Sequence, residues 1–147
     1  MRRARQVRVS GQPTIHIINR QRRFPIDRAA VKALITRVLE GECCGKECRL
    51  SVCFVADAAM QRLNARFHHR DEPTDVVAFV LSSDKAMLFA DIVVSTDTAC
   101  RQARRYRSTA ERETRLYVVH GLLHLLGYND HTRRQRSCMQ RVQRKYL

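Results

Sequence analysis

From residue 14 onward the chain alternates apolar and polar positions through "TIHIINRQ", and the β-branched content of that run predicts a strand. The pattern then changes period. In "PIDRAAVKALITRVLEGE" the apolar residues Val31, Leu34, Ile35, Val38 and Leu39 recur at helical spacing, with Asp27 placed to cap the first turn. "RLSVCFVAD" predicts a second strand, and "DAAMQRLNARFHH" a helix that sets Met60, Leu63 and Phe67 on one face. "TDVVAFVLS" and "LFADIVVST" flank the polar "SSDK" and predict a hairpin. A basic helix, "DTACRQARRYR", leads into the long segment "TAERETRLYVVHGLLHLLGY", and an amphipathic helix, "TRRQRSCMQRVQRKYL", closes the chain. Four strands and four to five helices in this order predict an α+β fold. They form a basic arm over residues 1–13 followed by one domain over 14–147.

Charge changes the picture most. Lys and Arg number 28 against 14 acidic residues in 147, a net +14. A bias toward arginine codons explains Arg in place of Lys, but not the two-to-one excess over acids. Such a surplus suits polyanions, nucleic acid first and anionic membrane second. No apolar run approaches the ~20 residues that span a bilayer, and the start "MRRARQVRVSGQP" lacks the apolar stretch of a secretory signal. The expected setting is the cytoplasm, without membrane association. The six cysteines, at 43, 44, 48, 53, 100 and 138, show no paired CxxC knuckles and are expected as free thiols. A redox or accessory metal role for Cys43, Cys44 and Cys48 is a minor alternative.

The sharpest chemical feature is "HGLLHLLGYNDH", residues 120–131. His120 and His124 are four apart and share one helix face, so two imidazoles can converge on one cation. The run from Leu116 to Leu126 is apolar on every side, which predicts a helix sunk in the core, where titratable rings need a hydrogen bond or a metal. Gly127 suits a helix stop and lets the chain turn His131 back toward the pair. Three imidazoles with one open position would make a catalytic rather than a structural zinc site. The metalloprotease pattern HExxH needs Glu where this chain has Gly121, so the residues speak against a peptidase. Glu113, two turns before His120, is a candidate carboxylate for orienting a ligand imidazole, with an ordinary surface role as its rival.

This segment resembles the signature of the YbeY family of metal-dependent, single-strand-specific endoribonucleases, HGxLHLxGYDH. "LNARFHHRDEPTDVVAFVL" (63–81) is similar to the family's LNxxYRxxDxPTDVLSF, and "ADIVVSTDTA" (90–99) to its GDIxIS strand. The blocks occur in family order over residues from about 14 to the C-terminus. The resemblance implies a mixed four-stranded sheet with a zincin-like metal helix and one zinc ion, or another divalent cation, on His120, His124 and His131. It further implies endonucleolytic work on the 3′ end of 16S-type rRNA, ribosome biogenesis and ribosome quality control. Single-stranded or ribosomal RNA and the small ribosomal subunit with its proteins are the implied partners. Four departures stand out. Six residues separate His124 from His131 where the family has five, with Asn129 extra and Asp130 the nearest rival ligand. His68 stands where the family has Arg, Ala78 replaces Ser, and Ala90 replaces Gly.

A phosphodiester is an anion attacked by a nucleophile that prefers to be charged, and a dication answers both needs. Arg70 is the first candidate to clamp the phosphate and His68 to act as base, with Thr74, Asp75 and Asp91 lining the cavity. Arg104, Arg105, Arg133 and Arg134, within the wider basic sets of the last helices, are candidate RNA contacts. The rivals are a non-catalytic ribosome-assembly or RNA-binding factor with a structural metal, and a metal-dependent hydrolase of a small molecule. The charge balance speaks against the second.

Overall fold

The computed structural model describes residues 11–42, 45–68 and 74–147, and of His68 the backbone alone. Nine elements follow in the order β1 (Thr14–Asn19), α1 (Arg28–Gly41), β2 (Glu47–Val55), α2 (Asp57–His68), β3 (Val76–Ser83), β4 (Met87–Ser95), α3 (Thr96–Arg105), α4 (Ala110–Leu125) and α5 (Arg133–Arg144). They build one α+β unit around a mixed four-stranded sheet of order β1-β2-β4-β3. β1, β2 and β4 run parallel, whereas β3 folds back antiparallel on β4 as the expected hairpin, with a register shift between Val80 and Ser82.

Alternation along the strands divides the molecule into two layers. Ile15, Ile17, Leu50, Val52, Phe54, Leu88, Ala90, Ile92 and Val94 belong to the main core, which they share with α1 and α4 residues. The opposite face is smaller: Val55, Val77 and Val93 pack with Met60 of α2. Local chemistry fixes the helix starts. Asp27, Ser95, Thr109 and Thr132 each accept from a backbone N–H of the first turn, and Thr132 forms a full capping box with Gln135.

The histidine helix is enclosed on several sides. α4 touches α1, α3, α5, β3 and β4, and Tyr117, Val118, Val119, Leu122 and Leu123 are all buried. An apolar run without a polar stripe needs neighbours on several sides, and the fold supplies them. Gly121 lies close against the sheet. A Cβ there would lie 3.0 Å from Val76 Cγ2 and 3.2 Å from Ile92 Cγ2.

Candidate metal centre

α4 ends in a hydrogen-bonded reversal. Gly127, in the left-handed region at φ 96°, donates from its N–H to the carbonyl of His124, and Tyr128 N–H to that of Leu123. This pair of bonds is the Schellman arrangement, and it turns the chain back past the last helical turn. The returning loop is held at two points. The Tyr128 hydroxyl donates to Glu42 at 2.7 Å, and the Arg136 guanidinium donates to the carbonyls of Asp130 and His131 at 3.1 Å each.

The reversal brings a carboxylate to the histidine pair. Nε2 of His120 and Nε2 of His124 are 3.0 Å apart, and Asp130 Oδ2 lies 3.5 Å from each. Two imidazole nitrogens and one carboxylate oxygen thus converge within 4.8 Å of one another, a group that can hold a metal ion. All three side chains are partly buried, open enough for a small solute to reach. Burial pushes the His120 imidazole below its ordinary pKa, and His124 adds to the effect. The carboxylates of Asp75 and Asp130 pull the other way without overcoming it. His120 is therefore neutral near pH 7, and its contact with Asp130 is a gathering of ligand atoms rather than an ion pair. The donor set suits a divalent cation of the zinc type and leaves coordination positions for water or substrate.

His120 and His124 stand one turn apart on α4 with their Nε2 atoms together. His131 does not join the pair: its side chain is exposed, and Asp130 fills the third corner. Counted from His124, Asp130 is the residue with five intervening positions. Asp91 is likewise not brought to the histidines. It pairs with Phe79 and Ser51 across the sheet, and alternation sets it opposite Ile92, whose side faces α4. Asp75 is closer to the chemistry. Its carboxylate accepts from Val76 N–H and from Thr74 Oγ1, and its charge acts on His120. Glu113 lies by Tyr117, which is driven well above its ordinary pKa by burial and then by that carboxylate. The group on the far nitrogen of His120 is instead Gln143 of α5. Arg70 and the side chain of His68 lie outside the described residues, as do Cys43 and Cys44. Cys48, Cys53, Cys100 and Cys138 are thiols, outside any disulfide, as expected. Arg104, Arg105, Arg133 and Arg134 are all exposed.

The family model described as Endoribonuclease YbeY matches residues 16–147. The chain belongs to the YbeY family. An Endoribonuclease YbeY of Pelotomaculum thermopropionicum is 34% identical over 142 residues, covering 89% of this chain and 93% of the relative. One from Syntrophus aciditrophicus is 33% identical over 138 residues, covering 89% and 86%. The solution structure of a Thermotoga maritima protein shares the fold at a TM-score of 0.60 and 24% identity, over 90% of this chain and 86% of that one. Membership in a family of endoribonucleases makes the chain an RNA-directed hydrolase by class, and the fold places Gly121 where a peptidase of this helix type needs its glutamate.

Proposed function

We propose that this YbeY-family chain is a metal-dependent endoribonuclease of single-stranded RNA. Its work would be maturation of the 3′ end of 16S-type rRNA and quality control of ribosomes in the cytoplasm. The observation that carries the reading is the convergence of His120 Nε2, His124 Nε2 and Asp130 Oδ2 on one point, in a chain of net charge +14.

The residues that would hold a zinc-type cation are His120, His124 and Asp130. The chemistry a bound dication supplies there is the lowering of water's pKa toward ~7 and the offsetting of charge on a phosphodiester. The protein's own groups do the rest. Burial keeps His120 neutral and available as a ligand. Asp75, fixed by Val76 N–H and Thr74, acts on His120 through its charge, and the reading gives it a place lining the centre. The reading gives the phosphate clamp to Arg70 and a second proton acceptor to His68, on their places in the 63–81 motif. It gives the sequence-independent hold on the RNA backbone to Arg104, Arg105, Arg133 and Arg134, and binding to the small ribosomal subunit to the same positive surface.

Cleavage of a labelled single-stranded RNA by zinc-loaded protein, set beside His124→Ala, tests the reading. Loss of cleavage in the variant with RNA binding retained is the expected result, and equal cleavage by both sinks it. The rival, an RNA-binding assembly factor with a structural metal, is favoured if the intact protein binds RNA stably and cleaves none under any divalent metal.

A further inference from the structure

α5 is a basic, amphipathic helix with three buried residues. Two of them, Met139 and Val142, are apolar and pack in the main core; the third is Gln143, 7% exposed. A buried side-chain amide needs a partner, and this one has an aromatic ring nitrogen. Gln143 Nε2 lies 2.6 Å from Nδ1 of His120, on the side of the imidazole away from His124 and Asp130. Met139, Val142 and Gln143 stand at i, i+3 and i+4, so the apolar seam of α5 sets where the amide can reach.

A terminal amide offers a donor at one end and an acceptor at the other, with nearly the same shape. With its N–H on Nδ1, the proton of neutral His120 sits on Nε2 and points at His124 Nε2, 3.0 Å away, so both nitrogens of His120 are satisfied without a cation. Turned end for end, Oε1 accepts from Nδ1–H, and the Nε2 lone pairs of both histidines face the space beside Asp130. We propose that Gln143 is a positioning residue of the metal centre, its amide holding Nδ1 of His120 and deciding which ring nitrogen offers a lone pair. This inference rests on the metal reading of His120, His124 and Asp130 given above.

Gln143→Met, close in volume but without donor or acceptor, is the direct test, read in two ways. The first is the zinc Kd by competition with a chromogenic chelator; the expected weakening is about 10–100-fold, with Gln143→Glu restoring binding because its carboxylate accepts from Nδ1–H. The second is nitrogen NMR of the metal-free proteins at mildly alkaline pH, where the His120 tautomer populations of the Met variant should differ from those of the native chain. Gln143→Asn, too short to span to Nδ1, replaces the Met variant if that one does not fold, and is expected to behave alike. Zinc binding at native strength, or an unchanged His120 tautomer in the metal-free variant, overturns the assignment. If the native protein itself takes up no zinc, the metal reading falls, and the tautomer comparison still judges Gln143.

Discussion

Asp130 and His131 are neighbours in sequence, yet only Asp130 turns its side chain onto the histidine pair. Their substitutions should separate cleanly. Asp130→Ala removes a ligand and should weaken zinc binding severely, while His131→Ala, on an exposed side chain, should leave the zinc Kd near native. Equilibrium dialysis of both variants against zinc checks this, and the reverse order would return the third corner to His131. Gly121 is the second residue on which the site turns. With Val76 Cγ2 only 3.0 Å from where a methyl group would stand, Gly121→Ala must push the sheet or α4 aside. The expected cost is about 1–3 kcal/mol of stability, read as a lowered midpoint in urea. A glutamate there has still less room, which is a steric reason for excluding peptidase chemistry beyond the missing residue itself.

At the scale of elements, the centre depends on how α4 stops. Gly127 at φ 96° lets Gly127 N–H and Tyr128 N–H reach back to His124 and Leu123, and that reversal delivers Asp130. A Cβ at 127 would meet nothing nearby, so Gly127→Ala tests backbone conformation alone. It should cost about 1–2 kcal/mol and loosen zinc binding as the loop shifts; unchanged stability would show that the reversal is not held in place by the glycine. Much of this was legible in the pattern: Asp27 as a cap, the β3–β4 hairpin, the buried character of 116–126, the Gly127 stop and the pairing of His120 with His124 all appear where the residues predict them. What the pattern did not carry was which of two adjacent polar side chains the loop between α4 and α5 would turn inward. That choice depends on ties from outside the loop, Glu42 to Tyr128 and Arg136 to the carbonyls of Asp130 and His131, which no local motif announces. Gln143 escaped for a similar reason: on an arginine-rich helix it reads as solvated, and only packing of α5 on α4 reveals it as buried. Asp91 follows alternation to the sheet face opposite Ile92, because a strand residue's face is set by that alternation rather than by the motif around it.

Across the whole molecule, two carboxylate networks join distant segments and set its response to pH. Partial burial of Asp57 opposes its charge, but hydrogen bonds from Arg101, Ser95 and Thr98 outweigh that, and its pKa lies below the ordinary value. Asp97, accepting from the backbone N–H of Asp57 and from Arg23, is lowered too. Depressed folded-state values give stability that is complete above the unfolded pKa of about 4 and fades as pH falls below it. At the other end, Glu42 accepts from both Tyr128 and Tyr146, at 2.7 and 2.6 Å. The Glu42 hydrogen bond first, and burial second, push Tyr128 up to about 12; burial leads for Tyr146, with Glu42 next, and it too reaches about 12. Raised folded-state values mean stability that is complete below the unfolded pKa of about 10 and lost as pH climbs toward the folded one. Urea midpoints measured against pH should thus fall on both flanks, and Glu42→Gln should flatten the alkaline flank and also soften the acid one, because the Tyr146 and Tyr128 hydrogen bonds hold the Glu42 carboxyl below its ordinary value. The same +14 that suits RNA predicts binding that weakens steeply with salt, by a log–log slope of about −0.7 for each phosphate contacted. A salt-independent affinity would remove the arginine surface from the account.

A metal centre of His120, His124 and Asp130 that cuts RNA can be tested by stripping the protein with a chelator, restoring zinc, and following cleavage of one labelled single-stranded RNA by the native chain, Asp130→Ala and His131→Ala in parallel. Cleavage that returns with metal in the native chain and in His131→Ala, but not in Asp130→Ala, is the predicted result. Metal-independent cleavage, or full activity in Asp130→Ala, would contradict it.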